Sequence, residues 1–364
     1  MESPRHPQWW QRRSTRRGLA LGFFAAVVII VTVAVSVFDL SKFLKFPEAS
    51  SDSQGEDQLR ILAYSSFTSS WGPGPSLVKL FEEKMKAQGR KVDVILLQAE
   101  DSGLLLAKMD SFPTDLVIGF DQLGLHLAAR AKAWRPHGVS GAKYSNELFL
   151  AFDWSPIGLV YRKGEIEPPK NFEDLLDSRF EGAIALQDPR SSSVGFQFLN
   201  WLVREKGETA AFQYLQNLKP NVHSMSGSWS QSYGMFTRGL AKLTVSYATS
   251  ILYHRLSEKD DRYAFAIFPG AHPVQTEYAA IPETCRNCDL AQEFMKFMSE
   301  PEAQAVIMNR NWMMPVNLLA ARGSPFETFM IEIEQTGGLR VQDPGKLPTR
   351  DPAKLLEKWR KVGL

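Results

Sequence analysis

The residues of this chain best suited to chemistry are three clusters of aromatic, hydroxyl and acidic side chains, and what they suit is reversible binding. The first is Tyr64-Ser65-Ser66-Phe67 with Trp71. The second is Asp188-Pro189-Arg190-Ser191-Ser192-Ser193. Its hydroxyls and free N–H groups at a helix start can hold a phosphate or a ligand hydroxyl, although plain N-capping is the commoner use of such serines. The third is the series Trp229, Tyr233, Tyr247, Ala248, Thr249, Ser250 and Tyr253, joined much later by Asn311 and Trp312. Taken singly, each aromatic is more often core than ligand wall. Together they recur beside Ser, Thr, Gly and Asn, surroundings unlike those of a buried core. Aromatic walls with hydroxyls and an acid suit a flat, cationic ligand, and each desolvated cation–π contact contributes about 0.5–2 kcal/mol.

Motifs for covalent chemistry are missing. The sequence has no Gly-x-Ser-x-Gly elbow, phosphate loop, His-Glu-x-x-His or kinase signature. Histidines 6, 126, 137, 223, 254 and 272 lack metal-ligand spacing. We therefore expect no catalytic set, no cofactor and no metal site. Gly72-Pro73-Gly74-Pro75 reads as a rigid loop leading into a helix. Cys285 and Cys288 are the only cysteines. A small disulfide closing a surface turn is the simplest reading of the pair, with free thiols or a redox or metal role left open.

The elements that must position these clusters alternate between strand and helix. Strands are expected at 59–64, 92–97, 115–119, 183–186 and 243–247. Helices are expected at 75–86, 122–132, 194–205, 208–218 and 230–238. This order implies an α/β fold with largely parallel strands. The apolar-aromatic stretch 148–161 is long enough to cross between lobes and 263–281 could return, which would leave a cleft above a hinge. Ser299-Glu300-Pro301-Glu302 has capping-box spacing and opens a helix. Asp351 and Pro352 begin a terminal one.

Composition bounds the class. The 364 residues are 44% hydrophobic and 23% charged, enough for one or two ordinary domains. The net charge of +2 is carried by five arginines (5, 12, 13, 16 and 17) set against Glu2, so the remainder is mildly acidic. No nucleic-acid footprint is present. Residues 18–38 contain no charged side chain. At about 1.5 Å per residue such a helix spans roughly a bilayer core, oriented with the basic end inside. The core is longer than a signal peptide's and lacks an Ala-x-Ala site, so an anchor is the preferred reading, with cleavage to a soluble form as its rival. We expect a cytoplasmic basic segment at 1–17, the anchor at 18–38, a linker at 39–58 and a globular unit at 59–364. Within that unit, lobe 1 spans about 59–150 and 282–364, and lobe 2 about 160–265.

The stretches 64–75 (YSSFTSSWGPGP), 115–121 (DLVIGFD), 187–195 (QDPRSSSVG), 227–236 (GSWSQSYGMF), 243–253 (LTVSYATSILY) and 311–316 (NWMMPV) resemble those of the thiamine-binding proteins of bacterial ABC importers, in the same order and at similar spacing. The resemblance spans residues 59–317. It implies a two-lobed type II periplasmic-binding fold, preceded here by the N-terminal helix, with thiamine, its monophosphate or its diphosphate held between lobes. It also implies delivery to a membrane permease and its ATPase. By motif, Asp101 and Ser102 match the acidic pocket stretch, and Ser192 and Ser193 match the hydroxyl pair on the ligand's polar tail. Trp229, Tyr247 and Tyr253 match pocket aromatics, and Ala248, Thr249, Ser250 and Ile251 match the stretch between them. Tyr64, Trp71 and Trp312 match further cleft positions. The sequence departs from the pattern at Ser102, where the family's Asp is followed directly by Gly, and at Ala248 and Ile251, where Thr and Pro are usual. A ferric iron or polyamine binder of the same fold is the nearest alternative. A membrane-anchored thiamine-processing enzyme is the alternative from another class.

Overall fold

The computed structural model describes residues 57–343 and 351–362. The expected segments 1–17 and 18–38, and nearly all of the linker, lie outside them. Among the described residues no helix is long and apolar enough to cross a membrane.

The first half opens with strand β1 (Gln58–Tyr64), helix α1 (Pro73–Ala87), β2 (Asp93–Ala99), β3 (Leu116–Phe120) and α2 (Gln122–Ala131). Strands β2 and β3 flank β1 in parallel. Helix α1 starts two residues before its expected position, because Pro73 takes its first turn. Its Leu77, Phe81 and Met85, four apart, form the buried stripe. Gly72 ahead of it must be glycine, since a Cβ there would lie 2.1 Å from the Ser66 carbonyl oxygen. Asp121 caps α2 by accepting the N–H groups of Leu123 and Gly124.

The crossing at 148–161 is a single 14-residue strand, β4 (Phe149–Arg162). After it come β5 (Ile184–Gln187), α3 (Ser193–Lys206), α4 (Glu208–Leu218), β6 (Val222–Ser226), α5 (Trp229–Thr237) and β7 (Leu243–Tyr247). The return brings β8 (Tyr263–Ala266) and β9 (Val274–Pro282). The chain then adds α6 (Cys288–Met298), α7 (Pro301–Asn311) and the terminal α8 (Pro352–Trp359).

The principal strands lie in the order β2-β1-β3-β9-β4-β7-β5-β6. The sheet is mixed, not largely parallel. Each half has its parallel trio, β2-β1-β3 and β7-β5-β6, but the two crossing segments enter the sheet between them, antiparallel to their neighbours. The reason is physical: a buried crossing cannot leave its backbone N–H and C=O groups unpaired. β4 changes partners at Pro156, the residue that has no N–H to give. Residues up to Pro156 pair with β9, and Ile157 onward pairs with β7.

Each half has its own core. Ile61, Phe81, Phe152 and Phe294 anchor one, and Leu159, Phe172, Trp201 and Leu215 the other. Leu355, Trp359 and Val362 of the terminal segment pack into the second of these, although sequence order groups that segment with lobe 1. Asp351 and Pro352 fill the N-cap and first positions of α8. The capping box at Ser299 does not form. Ser299 closes α6, its hydroxyl donating to the Met295 carbonyl, and α7 starts on Glu300 and Pro301 without a side-chain cap.

Candidate functional site

A cavity of about 640 Å³ opens where the two halves meet, at the carboxyl ends of β1, β2 and β7. This is the edge at which α/β sheets present ligand sites, because the loops leaving the strands converge there. Tyr64 ends β1, Glu100, Asp101 and Ser102 follow β2, and Tyr247 ends β7. Trp229 and Tyr233 come from the first two turns of α5, and Asn311 and Trp312 from the end of α7. Trp71 and Tyr253 stand at the rim, 54% and 38% exposed.

The aromatic wall is ordered by its own contacts. Trp229 stacks on Tyr233 at 4.8 Å between ring centroids and tilts against Tyr247 at 5.8 Å. The Trp229 indole N–H donates to Ser246 at 2.9 Å, and Ser246 pairs in turn with Ser250. Tyr253 meets Trp312 edge to face at 5.4 Å. Beside the wall and also lining the cavity, Tyr233 bonds to His254 at 2.8 Å, and His254 to Glu258 at 2.6 Å.

A seam between the halves runs through Asp101 and Ser102. One carboxylate oxygen of Asp101 accepts the backbone N–H of Trp229 at 3.0 Å, and the other accepts the Ser102 hydroxyl at 3.3 Å. Ser102 and Ser193 hydroxyls lie 2.9 Å apart. The chain fits this closely only because residue 103 is glycine: a Cβ there would sit 2.3 Å from the Ser191 carbonyl oxygen. Burial pushes the Asp101 carboxyl up to about 6, against the opposing pull of the Trp229 and Ser102 hydrogen bonds.

Of the residues expected in the site, Tyr64, Trp71, Asp101, Ser102, Trp229, Tyr247, Ser250, Tyr253 and Trp312 line this cavity. Ser192 and Ser193 instead line a second crevice of about 70 Å³. Ser102 borders both, and the buried Ser192 hydroxyl has no hydrogen-bond partner. Ala248, Thr249 and Ile251 lie outside the lining. Ala248 and Ile251 belong to an apolar cluster, and the Thr249 hydroxyl donates to Ser155 at 3.0 Å. Cys285 and Cys288 form a disulfide and do not line the cavity.

Sequence reasoning missed the floor. Glu277 of β9 lines the cavity and lies opposite Asp153 of β4 in the strand register. Glu277 is 2% exposed and Asp153 0%. The Tyr64 hydroxyl donates to Glu277, and Gln275 donates to both Glu277 and the Tyr247 hydroxyl. The Asn311 amide reaches Asp153 at 2.6 Å and Glu277 at 3.4 Å. Burial, reinforced by Glu277, holds the Asp153 carboxyl well above its ordinary range. Burial raises Glu277 to about 7, against the hydrogen bonds from Tyr64, Gln275 and Asn311. The available signal was a lone acid in each of the two crossing strands, Asp153 in a largely apolar run and Glu277 after Gln275 and Thr276.

Comparison with known proteins fits this geometry. The family model for bacterial extracellular solute-binding proteins matches residues 127–327. The thiamine-binding periplasmic protein of Salmonella typhimurium is 34% identical, over 71% of this chain and 80% of that protein. The Escherichia coli protein of the same name is 33% identical over the same shares. Among solved structures, a periplasmic thiamin binding protein superposes with a TM-score of 0.71 at 30% identity, covering 84% of this chain and 96% of that one. The fold is thus the two-lobed periplasmic-binding fold, and the chain belongs to the bacterial extracellular solute-binding proteins, as a relative of the periplasmic thiamine-binding proteins.

Proposed function

We propose that this chain is the extracytoplasmic substrate-binding component of an ABC importer, capturing thiamine or its phosphates and passing the ligand to a membrane permease with its ATPase. The observation that carries the reading is the aromatic cavity itself. Trp229, Tyr233 and Tyr247 form a rigid π wall, and the floor opposite holds buried carboxyl groups. A volume of about 640 Å³ falls within the roughly 300–1,000 Å³ usual for small organic ligands. In this reading the thiazolium lies on the Trp229/Tyr247 wall and Asp101 accepts from the aminopyrimidine. Tyr253, Trp71 and Trp312 cover the mouth, Tyr64 and Ser250 fix the edges, and Ser102 faces the hydroxyethyl or phosphate tail, backed by Ser192 and Ser193. Ala248, Thr249 and Ile251 support the wall from behind.

The names of the relatives support binding rather than turnover, and the mechanism is capture without a covalent step. An enzyme acting on thiamine would need a nucleophile in the cleft, and the Cys285–Cys288 pair lies outside its lining. We divide the globular unit into lobes of about 59–150 with 282–343, and 160–265, the terminal helix packing on the second. Residues 18–38 tether it to the periplasmic face of the cytoplasmic membrane, and the polar stretch from 48 to the start of β1 acts as a leash. Polyamine is the second reading, favoured by the buried carboxyl groups at the floor. Calorimetric titration of the full-length chain with thiamine, both phosphates, spermidine and ferric citrate tests the proposal. Thiamine or a thiamine phosphate should bind tightest, and a preference for spermidine or iron would overturn it.

A further inference from the structure

The floor of the cavity poses a charge problem that Asp101 does not solve. Both oxygens of Asp101 are engaged, one by the first N–H of α5 and the other by Ser102. That carboxylate already has a partner in the positive end of a helix. Glu277 and Asp153 have nothing equivalent. They are cross-strand partners, both essentially buried, and one Asn311 amide nitrogen touches an oxygen of each. The other Asp153 oxygen has no hydrogen-bond partner. Among the described residues no lysine or arginine forms an ion pair with either carboxyl. Two buried, adjacent carboxyls without a counter-cation disfavour double ionisation, so one of the pair holds a proton.

Resting on the thiamine reading above, we propose that Glu277, backed by Asp153, is the counter-charge that makes this cavity select a cation, and that the pair gives up a proton to solvent as the cation binds. The balance is simple. One carboxyl O–H bond breaks, the proton passes to buffer, and the second negative charge left on the pair is met by the ligand's fixed positive charge. The surrounding groups are consistent with this exchange. Tyr64 on β1, Gln275 on β9 and Asn311 on α7 donate hydrogen bonds to Glu277. Tyr247 on β7 lies against Gln275. Asp121, ahead of α2, adds like charge that favours the protonated form. His254 and Glu258 line the far wall, and Arg310 on α7 lines the cavity without pairing with either carboxyl. The aromatic wall then gives affinity for a flat ring, and the floor decides its charge.

The test is calorimetry of the full-length chain with thiamine at pH 7, in phosphate and in Tris, whose ionisation heats differ widely. Wild-type protein should give binding heats that differ between the buffers, corresponding to release of up to one proton. Glu277→Gln should lose about tenfold or more in thiamine affinity and lose most of the buffer difference. Binding of the neutral aminopyrimidine fragment should change by less than about threefold. Asp153→Asn provides a second, independent variant with the same expected direction. Should both variants fail to fold, the buffer comparison on wild-type protein still decides. Equal heats in the two buffers, or Glu277→Gln binding thiamine as wild type does, overturns the inference and leaves the thiamine reading standing. Wild-type protein that takes up no thiamine overturns both.

Discussion

Replacing Trp229 tests the aromatic wall, and the structure gives the size of the effect. Trp229→Ala removes the indole face and its stack on Tyr233, and with them the N–H bond to Ser246. It keeps the backbone N–H that Asp101 accepts, so the seam survives. Loss of one desolvated cation–π face costs about 0.5–2 kcal/mol, and loss of the surrounding contact raises the total to about 1–3 kcal/mol. At 1.4 kcal/mol per decade this is roughly a 5- to 150-fold weaker thiamine complex. The apo protein loses one hydrogen bond and one ring stack, about 2 kcal/mol, so its thermal midpoint falls by several degrees. Trp229→Phe separates the two effects: it loses the hydrogen bond but retains a ring, so it should show only part of the midpoint shift and keep most of the affinity. Isothermal titration and thermal unfolding of the three proteins are the assays. If Phe and Ala weaken binding equally, or if Ala binds as wild type does, Trp229 is not the wall.

Further outcomes follow from the same geometry. Asp101, Asp121 and Glu277 have carboxyls raised by burial to about 6, 6 and 7. The folded chain therefore holds protons that the unfolded chain has lost, and apo stability should fall as pH rises from about 4 to 7. Glu277→Gln should flatten the upper part of that curve; a midpoint that climbs across this window contradicts the assignment. Gly103→Ala places a methyl group 2.3 Å from the Ser191 carbonyl oxygen and should weaken ligand binding by about 1–3 kcal/mol through overpacking at the seam. Unchanged affinity would mean that the seam need not close. For the tether, osmotic shock should leave the chain in the membrane fraction. Recovery in the shock fluid, with an N-terminus between Val35 and Gln58, would identify residues 18–38 as a cleaved signal.

Much of the fold was legible because its helices and parallel strands carry local signals. Leu77 and Phe81 are spaced for one face of α1, and Asp351 announces the terminal helix as its cap. The mixed sheet was not legible. An apolar run such as 148–161 reads the same whether it crosses between lobes as a linker or as a paired strand, and strand direction has no local signature. The capping box at Ser299 failed for a similar reason: Pro301 sets the start of α7, and Ser299 is needed to close α6. In the site, aromatics at strand ends were found because polar neighbours mark them. Glu277 and Asp153 were missed because their meaning lies in cross-strand register, which places two acids face to face from positions 124 residues apart in sequence. Ser192 and Ser193 show the converse limit. Their hydroxyls were expected in the main cavity, but the turn into α3 directs them to the crevice behind Ser102.

A crystal structure of the chain grown with thiamine tests the central claim most directly. The account predicts the ligand in the cavity between the halves, its thiazolium against Trp229 and Tyr247 and within reach of Glu277, and its tail toward Ser102. Thiamine seated elsewhere, or a metal ion bound by Tyr64 and Tyr247 in the same cavity, would contradict it.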